Sequence, residues 1–164
     1  MEKQVIDDFL DEEYFNELRD LVMGSGFMWM YQDAVGTHAD DRVGEFYFVH
    51  SLYNGTQCEK ESPMFNKIVP LLNALDMKSL VRARFLMYVN QGKQVVHESH
   101  QDTLFPHNAA LLYLNTNDGY TGFDDGTKVQ SVANRLVVFD GTQWHHSTTC
   151  TDEKTRCVIA VNYF

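Results

Sequence analysis

The sequence predicts an α+β chain that is mainly β, a double-sheet structure of jelly-roll type buttressed by helices near the N-terminus. Helical spacing of apolar residues is confined to the first half of the chain. Runs rich in β-branched and aromatic residues dominate elsewhere. Between those runs stand the turn signals Asn117-Asp118-Gly119, Asp125-Gly126 and Asp140-Gly141.

The first helix is expected after Asp11, which can cap it while Glu12 and Glu13 complement the helix dipole. Tyr14, Phe15, Leu18, Leu21 and Val22 form its apolar face, and Gly24 and Gly26 end it. A second helix is expected at Ser62-Pro63, a cap followed by a first-position proline. Its stripe is Phe65, Ile68, Val69 and Leu72, with Pro70 disturbing the last turn. Strands are expected over Val43 to Leu52, Val81 to Val89, Ala109 to Leu114, Arg135 to Phe139 and Arg156 to Phe164. No repeat or linker divides the 164 residues, so residues 1–164 read as a single domain.

Composition narrows the function. A hydrophobic fraction of 44% with 10 Gly and 3 Pro excludes collagen-like and disordered classes. The longest apolar run, Ala109 to Leu114, is far shorter than the roughly 18 residues of a membrane span. The opening residues carry no secretory pattern, and three cysteines (Cys58, Cys150, Cys157) make no disulfide framework. A cytoplasmic location is therefore expected. The sequon Asn54-Gly55-Thr56 then reads as chance. Net charge is −10 and argues against a nucleic-acid partner. Most of it lies in residues 1 to 20, a solvated helix face.

Seven histidines are candidates for chemistry: His38, His50, His97, His100, His107, His145 and His146. In His100-Gln101-Asp102 an imidazole and a carboxylate stand two residues apart, which on a strand sends both to one side. Further on, Leu136 to Phe139 reads as a buried strand broken by Asp140-Gly141, and His145-His146 falls in the loop that follows. That loop supplies a third nitrogen from a distant strand end. Two imidazoles and one carboxylate leave adjacent positions open on a six-coordinate metal, the arrangement of non-haem Fe(II) oxygenases. Structural zinc would call for paired cysteines, which are missing.

The order His100-x-Asp102, His145, Arg156 resembles the 2-oxoglutarate/Fe(II)-dependent dioxygenases, and most closely the small prolyl 4-hydroxylase-like members of bacteria and bacteriophages. Val5 to Leu10 is similar to the family's opening, and Arg82 to Tyr88 to its strand ahead of His-x-Asp. Leu112-Tyr113-Leu114-Asn115 with Asp118-Gly119-Tyr120-Thr121 is similar to its "YLN…GGxT" segment. Phe139-Asp140-Gly141 and Asn162-Tyr163-Phe164 are similar to its closing strands.

The resemblance implies a double-stranded β-helix, a distorted cupin-like jelly roll. It also implies Fe(II) held by His100, Asp102 and His145, with 2-oxoglutarate and O2 as co-substrates. His145 is preferred to His146 because it lies five residues after Asp140 and eleven before Arg156. Arg156 would pair with the distal carboxylate of 2-oxoglutarate through its planar fork. Val158 stands where many members carry Ser, so Tyr88 becomes the candidate second contact to that carboxylate. Trp144 and His146 are candidate substrate contacts. The implied reaction hydroxylates a C–H bond of a protein or peptide, prolyl among them, with release of succinate and CO2. Rival readings are the same chemistry on a free amino acid, small metabolite or nucleobase, and a non-enzymatic cupin-like module that binds metal or ligand.

Other features carry blander readings. His97 and His107 read as partly exposed loop histidines, with substrate contact or metal ligation the alternative, and Arg82 and Arg84, on one side of a strand, as a solvated face, with attraction of an anionic substrate the alternative. Phe27 to Tyr31 reads as core. A hydrolase built on Cys150 and His145 lacks a strand–elbow–helix context, as does Ser25. No P-loop or dinucleotide fingerprint occurs.

Overall fold

The computed structural model describes residues 2–35, 43–57 and 59–164, so His38 and Cys58 lie outside the described residues. The element order is β1 (Gln4–Ile6), α1 (Glu12–Met23), β2 (Met30–Gln32), β3 (Tyr47–Asn54), β4 (Glu59–Lys60), a 3-10 segment (Pro63–Ile68), α2 (Val69–Ala74) and β5 (Leu80–Val89). Then come β6 (Asn108–Tyr113), β7 (Tyr120–Phe123), β8 (Lys128–Gln130), β9 (Leu136–Asp140), β10 (His145–Ser147) and β11 (Thr155–Tyr163). No helix among the described residues is long and apolar enough to cross a membrane.

The large sheet runs β1-β9-β6-β11-β5-β3-β2, with β4 paired on β3, and the small sheet runs β10-β7-β8. From β6 onward the chain crosses repeatedly between the two sheets, the winding of a double-stranded β-helix. Alternation along the central strands then decides what each layer packs against. Ala83 and Phe85 on β5, Cys157, Ile159 and Val161 on β11, and Ala110 and Leu112 on β6 face the helices. There they bury Phe15, Leu18 and Val22 of α1 with Ile68 and Leu71. The intervening residues Leu86, Tyr88, Val158 and Ala160 turn to the small sheet and meet Phe123 and Val129. Each fully buried Leu, Ile or Phe contributes about 1.5–3 kcal/mol, so the helical layer holds the large sheet rigid behind the cavity.

Local chemistry accounts for the helices. Asp11 Oδ1 accepts from the Glu13 and Tyr14 amides at 3.1 and 3.2 Å, the cap expected from sequence. Tyr14 is only half-buried and Leu21 is exposed, so the buried face is narrower than the spacing suggested. The second helix is two pieces. Pro63 opens a 3-10 segment capped by Ser62 Oγ, and Pro70 lies in the first turn of α2 instead of disturbing a last one. The change of pitch turns Val69 outward and Leu71 inward.

The five expected strands form with ends shifted. β3 starts four residues later than expected because Val43 and Gly44 make a turn in which Gly44 has φ +115. The Phe27 to Tyr31 cluster is split: Phe27 and Trp29 pack on the core, while Met28, Met30 and Tyr31 are exposed along the β2 edge.

Candidate metal centre

His100 reaches the interior through an irregular strand. Residues 95–100 run antiparallel to β10 and the residues after it, with Val95 O accepting from Thr149 N–H at 3.0 Å and Ser147 O accepting from His97 N–H at 3.0 Å. His100 and His145 then bridge. Between those contacts one side spends a residue more than the other, a bulge that re-aims His100. The expected strand does not continue to Asp102, which sits in a bend after the bridge, its amide donating to Gly141 O at 3.4 Å. His145 lies on a short strand, β10, instead of the expected loop. Pairing with β7 at Phe123 fixes its direction, so His145 and Ser147 point inward and His146 outward.

The three side chains converge. One ligand atom from each of His100, Asp102 and His145 lies within 4.8 Å of the others, with His145 Nε2 3.9 Å from Asp102 Oδ2. Both imidazoles have a defined tautomer. His100 Nδ1–H donates to Glu98 O at 3.3 Å and His145 Nδ1–H to Gln143 O at 2.9 Å. In the neutral form of either ring, Nε2 then keeps its lone pair free, as a metal ligand needs. Burial, reinforced by neighbouring His145, pushes the His100 pKa down and keeps that ring neutral. Burial alone would raise Asp102, but His145, Arg82, Arg84 and a hydrogen bond from Asn162 outweigh it and hold the carboxyl at about 2.

Asp102 is held by neighbours the sequence reading did not assign. Arg82 Nη2 donates to Oδ1 at 2.7 Å and Asn162 Nδ2 to Oδ2 at 2.9 Å. Arg82 Nε also donates to Asn162 Oδ1 at 3.1 Å, closing a triangle made possible by the Asn162–Arg82 register of β11 and β5. Asn162 Nδ2 further donates to His107 Nε2 at 3.2 Å. Arg82 is therefore no solvated face, and His97 and His107 are buried instead of partly exposed.

Arg156 sits in the same cavity, of about 150 Å³ between the sheets. It is 1% exposed, and no carboxylate among the described residues pairs with it. Its Nε donates to Ser131 Oγ at 2.6 Å and its Nη2 to Thr121 Oγ1 at 3.0 Å. The Tyr88 and Tyr113 rings flank the guanidinium at 5.4 and 5.3 Å. Burial raises the Tyr88 phenol, with Arg156 opposing, so it stays protonated. Tyr113 O–H donates to Thr121 Oγ1 at 2.9 Å, which makes Thr121 and Tyr113 two further groups that sequence reasoning left without a role. Trp144 is 51% exposed and His146 half-buried, and neither lines the cavity.

Glycines give these side chains room. A Cβ on Gly119 would lie 2.6 Å from Arg156 Cδ, and one on Gly141 would lie 2.0 Å from His107 Nε2. One on Gly122 would strike His146 Nε2 at 2.3 Å.

Fold and site together define a double-stranded β-helix whose inter-sheet cavity holds a His-Asp-His cluster and a buried arginine with no carboxylate partner among the described residues. No family model and no curated protein matches the chain by sequence. Solved structures do match by fold. A prolyl hydroxylase from Trichoplax adhaerens, in complex with a hypoxia inducible factor peptide fragment, superposes at TM-score 0.68 with 16% identity over 99% of this chain and 83% of that one. A Pseudomonas putida prolyl-4-hydroxylase gives 0.62 and 18% over 98% and 91%. A viral collagen prolyl hydroxylase from Paramecium Bursaria Chlorella virus-1 gives 0.61 and 12% over 98% and 93%. The chain is thus built on the fold of these hydroxylases, as the sequence resemblance led us to expect.

Proposed function

We propose that this chain is an Fe(II)- and 2-oxoglutarate-dependent oxygenase that hydroxylates a C–H bond of a peptide or protein substrate. The observation that carries the reading is one cavity lined both by His100, Asp102 and His145 and by the unpaired cation of Arg156. The donor set suits ferrous iron, with two neutral imidazoles, one carboxylate and open coordination positions. The arginine suits a dicarboxylate, because a buried guanidinium without a counter-charge is costly until an anion completes it.

In this reading His100 Nε2, His145 Nε2 and Asp102 would hold the iron, and Arg156 the distal carboxylate of 2-oxoglutarate. Bound together, metal and co-substrate would supply the oxidising chemistry, converting 2-oxoglutarate, O2 and substrate to succinate, CO2 and hydroxylated product. The chain's own work is placement. Arg82 and Asn162 keep Asp102 ionised and aimed, while the Glu98 and Gln143 carbonyls keep the imidazoles in the ligating tautomer. Thr121 and Ser131 fix the guanidinium plane. Leu86, Leu111 and Val158 make a dry wall that strengthens every charge interaction beside it. A peptide substrate is supported by the fold shared with a hydroxylase solved on a peptide fragment. A reducing cytoplasm would keep the iron ferrous and the buried thiols of Cys150 and Cys157 free.

Anaerobic addition of Fe(II) and 2-oxoglutarate should produce the visible charge-transfer band of the chelate. Air should then release succinate, faster with a prolyl peptide than without. Absence of the band overturns the reading, and a band without succinate leaves a binding module.

A further inference from the structure

Among the described residues, the charges lining the cavity do not balance. With imidazoles neutral, they are the guanidinium groups of Arg82, Arg84 and Arg156 against the single carboxylate of Asp102. This local excess of positive charge sits inside a chain of net charge −10. Ferrous iron and dianionic 2-oxoglutarate would cancel each other and leave the excess standing. Arg82 is satisfied by Asp102 and Asn162, and Arg156 would take the co-substrate carboxylate. Arg84 has no such assignment. Among the described residues its buried Nε has no hydrogen-bond partner, and no carboxylate pairs with it.

The placement of Arg84 is equally specific. Arg82, Arg84, Leu86 and Tyr88 alternate along the cavity face of β5, so Arg84 sits between the residue that holds Asp102 and the apolar wall. Across the sheet it registers with Ala160, whose methyl group occupies little of the space above it. Beside it, Leu86, Leu111 and Val158 offer surface for aliphatic carbon. A planar donor fork with an unused buried N–H, next to an apolar wall, matches a carboxylate on a short aliphatic stem.

We infer that Arg84 is a specificity-determining residue that receives a carboxylate of the substrate. This inference rests on the oxygenase reading and deepens it, because the substrate then carries its own anion besides the co-substrate. The anion belongs to a free aliphatic or amino acid, or to an acidic side chain beside the target residue of a peptide. In either case the guanidinium orients the neighbouring C–H toward the metal ligands, and the cavity's positive field draws the anion in.

The test uses the full chain loaded with Mn(II) and 2-oxoglutarate under nitrogen, so that calorimetry reads binding without turnover. Matched probes differ only in charge: L-proline against L-prolinamide, 4-methylpentanoate against its amide, and the capped peptide Gly-Ala-Pro-Glu-Gly against Gly-Ala-Pro-Gln-Gly. In at least one pair the carboxylate should bind about tenfold tighter or more. Arg84→Gln should abolish that preference, and Arg84→Lys, which keeps the charge but not the fork, should restore part of it. A preference confined to the peptides identifies a peptide anion, and one confined to the free acids identifies a small acid. No carboxylate preference in any pair, whether by equal binding or by no binding, overturns the inference. So does a preference that survives unchanged in both Arg84 variants, with circular dichroism confirming that they fold. Failure of the oxygenase reading shows separately, as no uptake of 2-oxoglutarate by the Mn(II)-loaded wild-type chain before any probe is added.

Discussion

His100 and His145 exchange two backbone hydrogen bonds, His100 N–H to His145 O at 2.8 Å and His145 N–H to His100 O at 3.0 Å. Residues 45 positions apart thereby become direct neighbours, with ring centroids 4.7 Å apart. Alternation along β10 also separates the adjacent histidines, sending His145 inward and His146 across Gly122. His145→Ala, like His100→Ala or Asp102→Ala, should therefore weaken Fe(II) binding by more than about 100-fold, beyond what losing an outer contact costs. His146→Ala should stay within about threefold. Anaerobic Fe(II) titration of the four variants decides it, and a loss in His146→Ala equal to that in His145→Ala would reverse the assignment.

Asn162 donates to Asp102 and accepts from Arg82, so it positions the carboxylate from behind. Asn162→Leu keeps similar volume while removing both bonds and the one to His107 Nε2. It should lower Fe(II) affinity about 10- to 100-fold, and Asn162→Asp should fail to rescue because it presents one carboxylate to another. The same titration, compared with Arg82→Met, tests whether the two act as a unit; strictly additive losses would show independent roles.

Much of this architecture is legible in the sequence, and the gaps have physical causes. Long periodic elements such as α1, β5 and β11 declare themselves because one face is buried along their whole length. Short strands such as β8 and β10 take their direction from partners far along the chain, and three residues carry too little periodicity to show it. His100, Asp102, His145 and Arg156 are marked by residue type and spacing. The partners Arg82, Thr121 and Asn162 are not, because strand register makes their roles. One signal was readable: Arg82, Arg84, Leu86 and Tyr88 alternate, which places both arginines on the face that also carries Tyr88.

Arg156 is fully buried with no counter-charge among the described residues, so its cost should fall when a dicarboxylate binds. Arg156→Met removes that charge at similar length. Apo stability should change little or rise, while stabilisation by 2-oxoglutarate, about 2.7 kcal/mol at 100 times Kd for the wild type, should vanish. Gly119→Ala should imitate the loss, because its Cβ would meet Arg156 Cδ at 2.6 Å. Melting curves of the Mn(II)-loaded protein with and without 2-oxoglutarate measure both effects. A full ligand-induced shift in Arg156→Met would remove the arginine from the binding site.

His97 should contribute to the loss of stability in acid. Burial first, then the positive charge of Arg156, and the protons that His100 and His146 take up in acid, hold it at about 4, below its ordinary 6.5. Its Nδ1 pairs with Ser147 Oγ at 2.8 Å, its ring lies 5.2 Å from that of Tyr88, and its buried Nε2 has no partner among the described residues. Between pH 6.5 and 4 the unfolded chain binds a proton that the native chain refuses, so stability rises with pH across that window. The contribution is complete above 6.5 and is lost as the pH falls toward 4, a change of order ~3 kcal/mol. His97→Asn keeps a donor for Ser147 and cannot titrate there. The variant should be less stable than wild type at pH 7, yet lose less on acidification, with part of the slope left to His100, which burial also depresses. Urea midpoints of the metal-free proteins at pH 7, 6, 5 and 4.5 provide the comparison. Parallel losses in the two proteins would mean that His97 is protonated in the fold without cost, and its burial beside Arg156 would then carry no pH dependence.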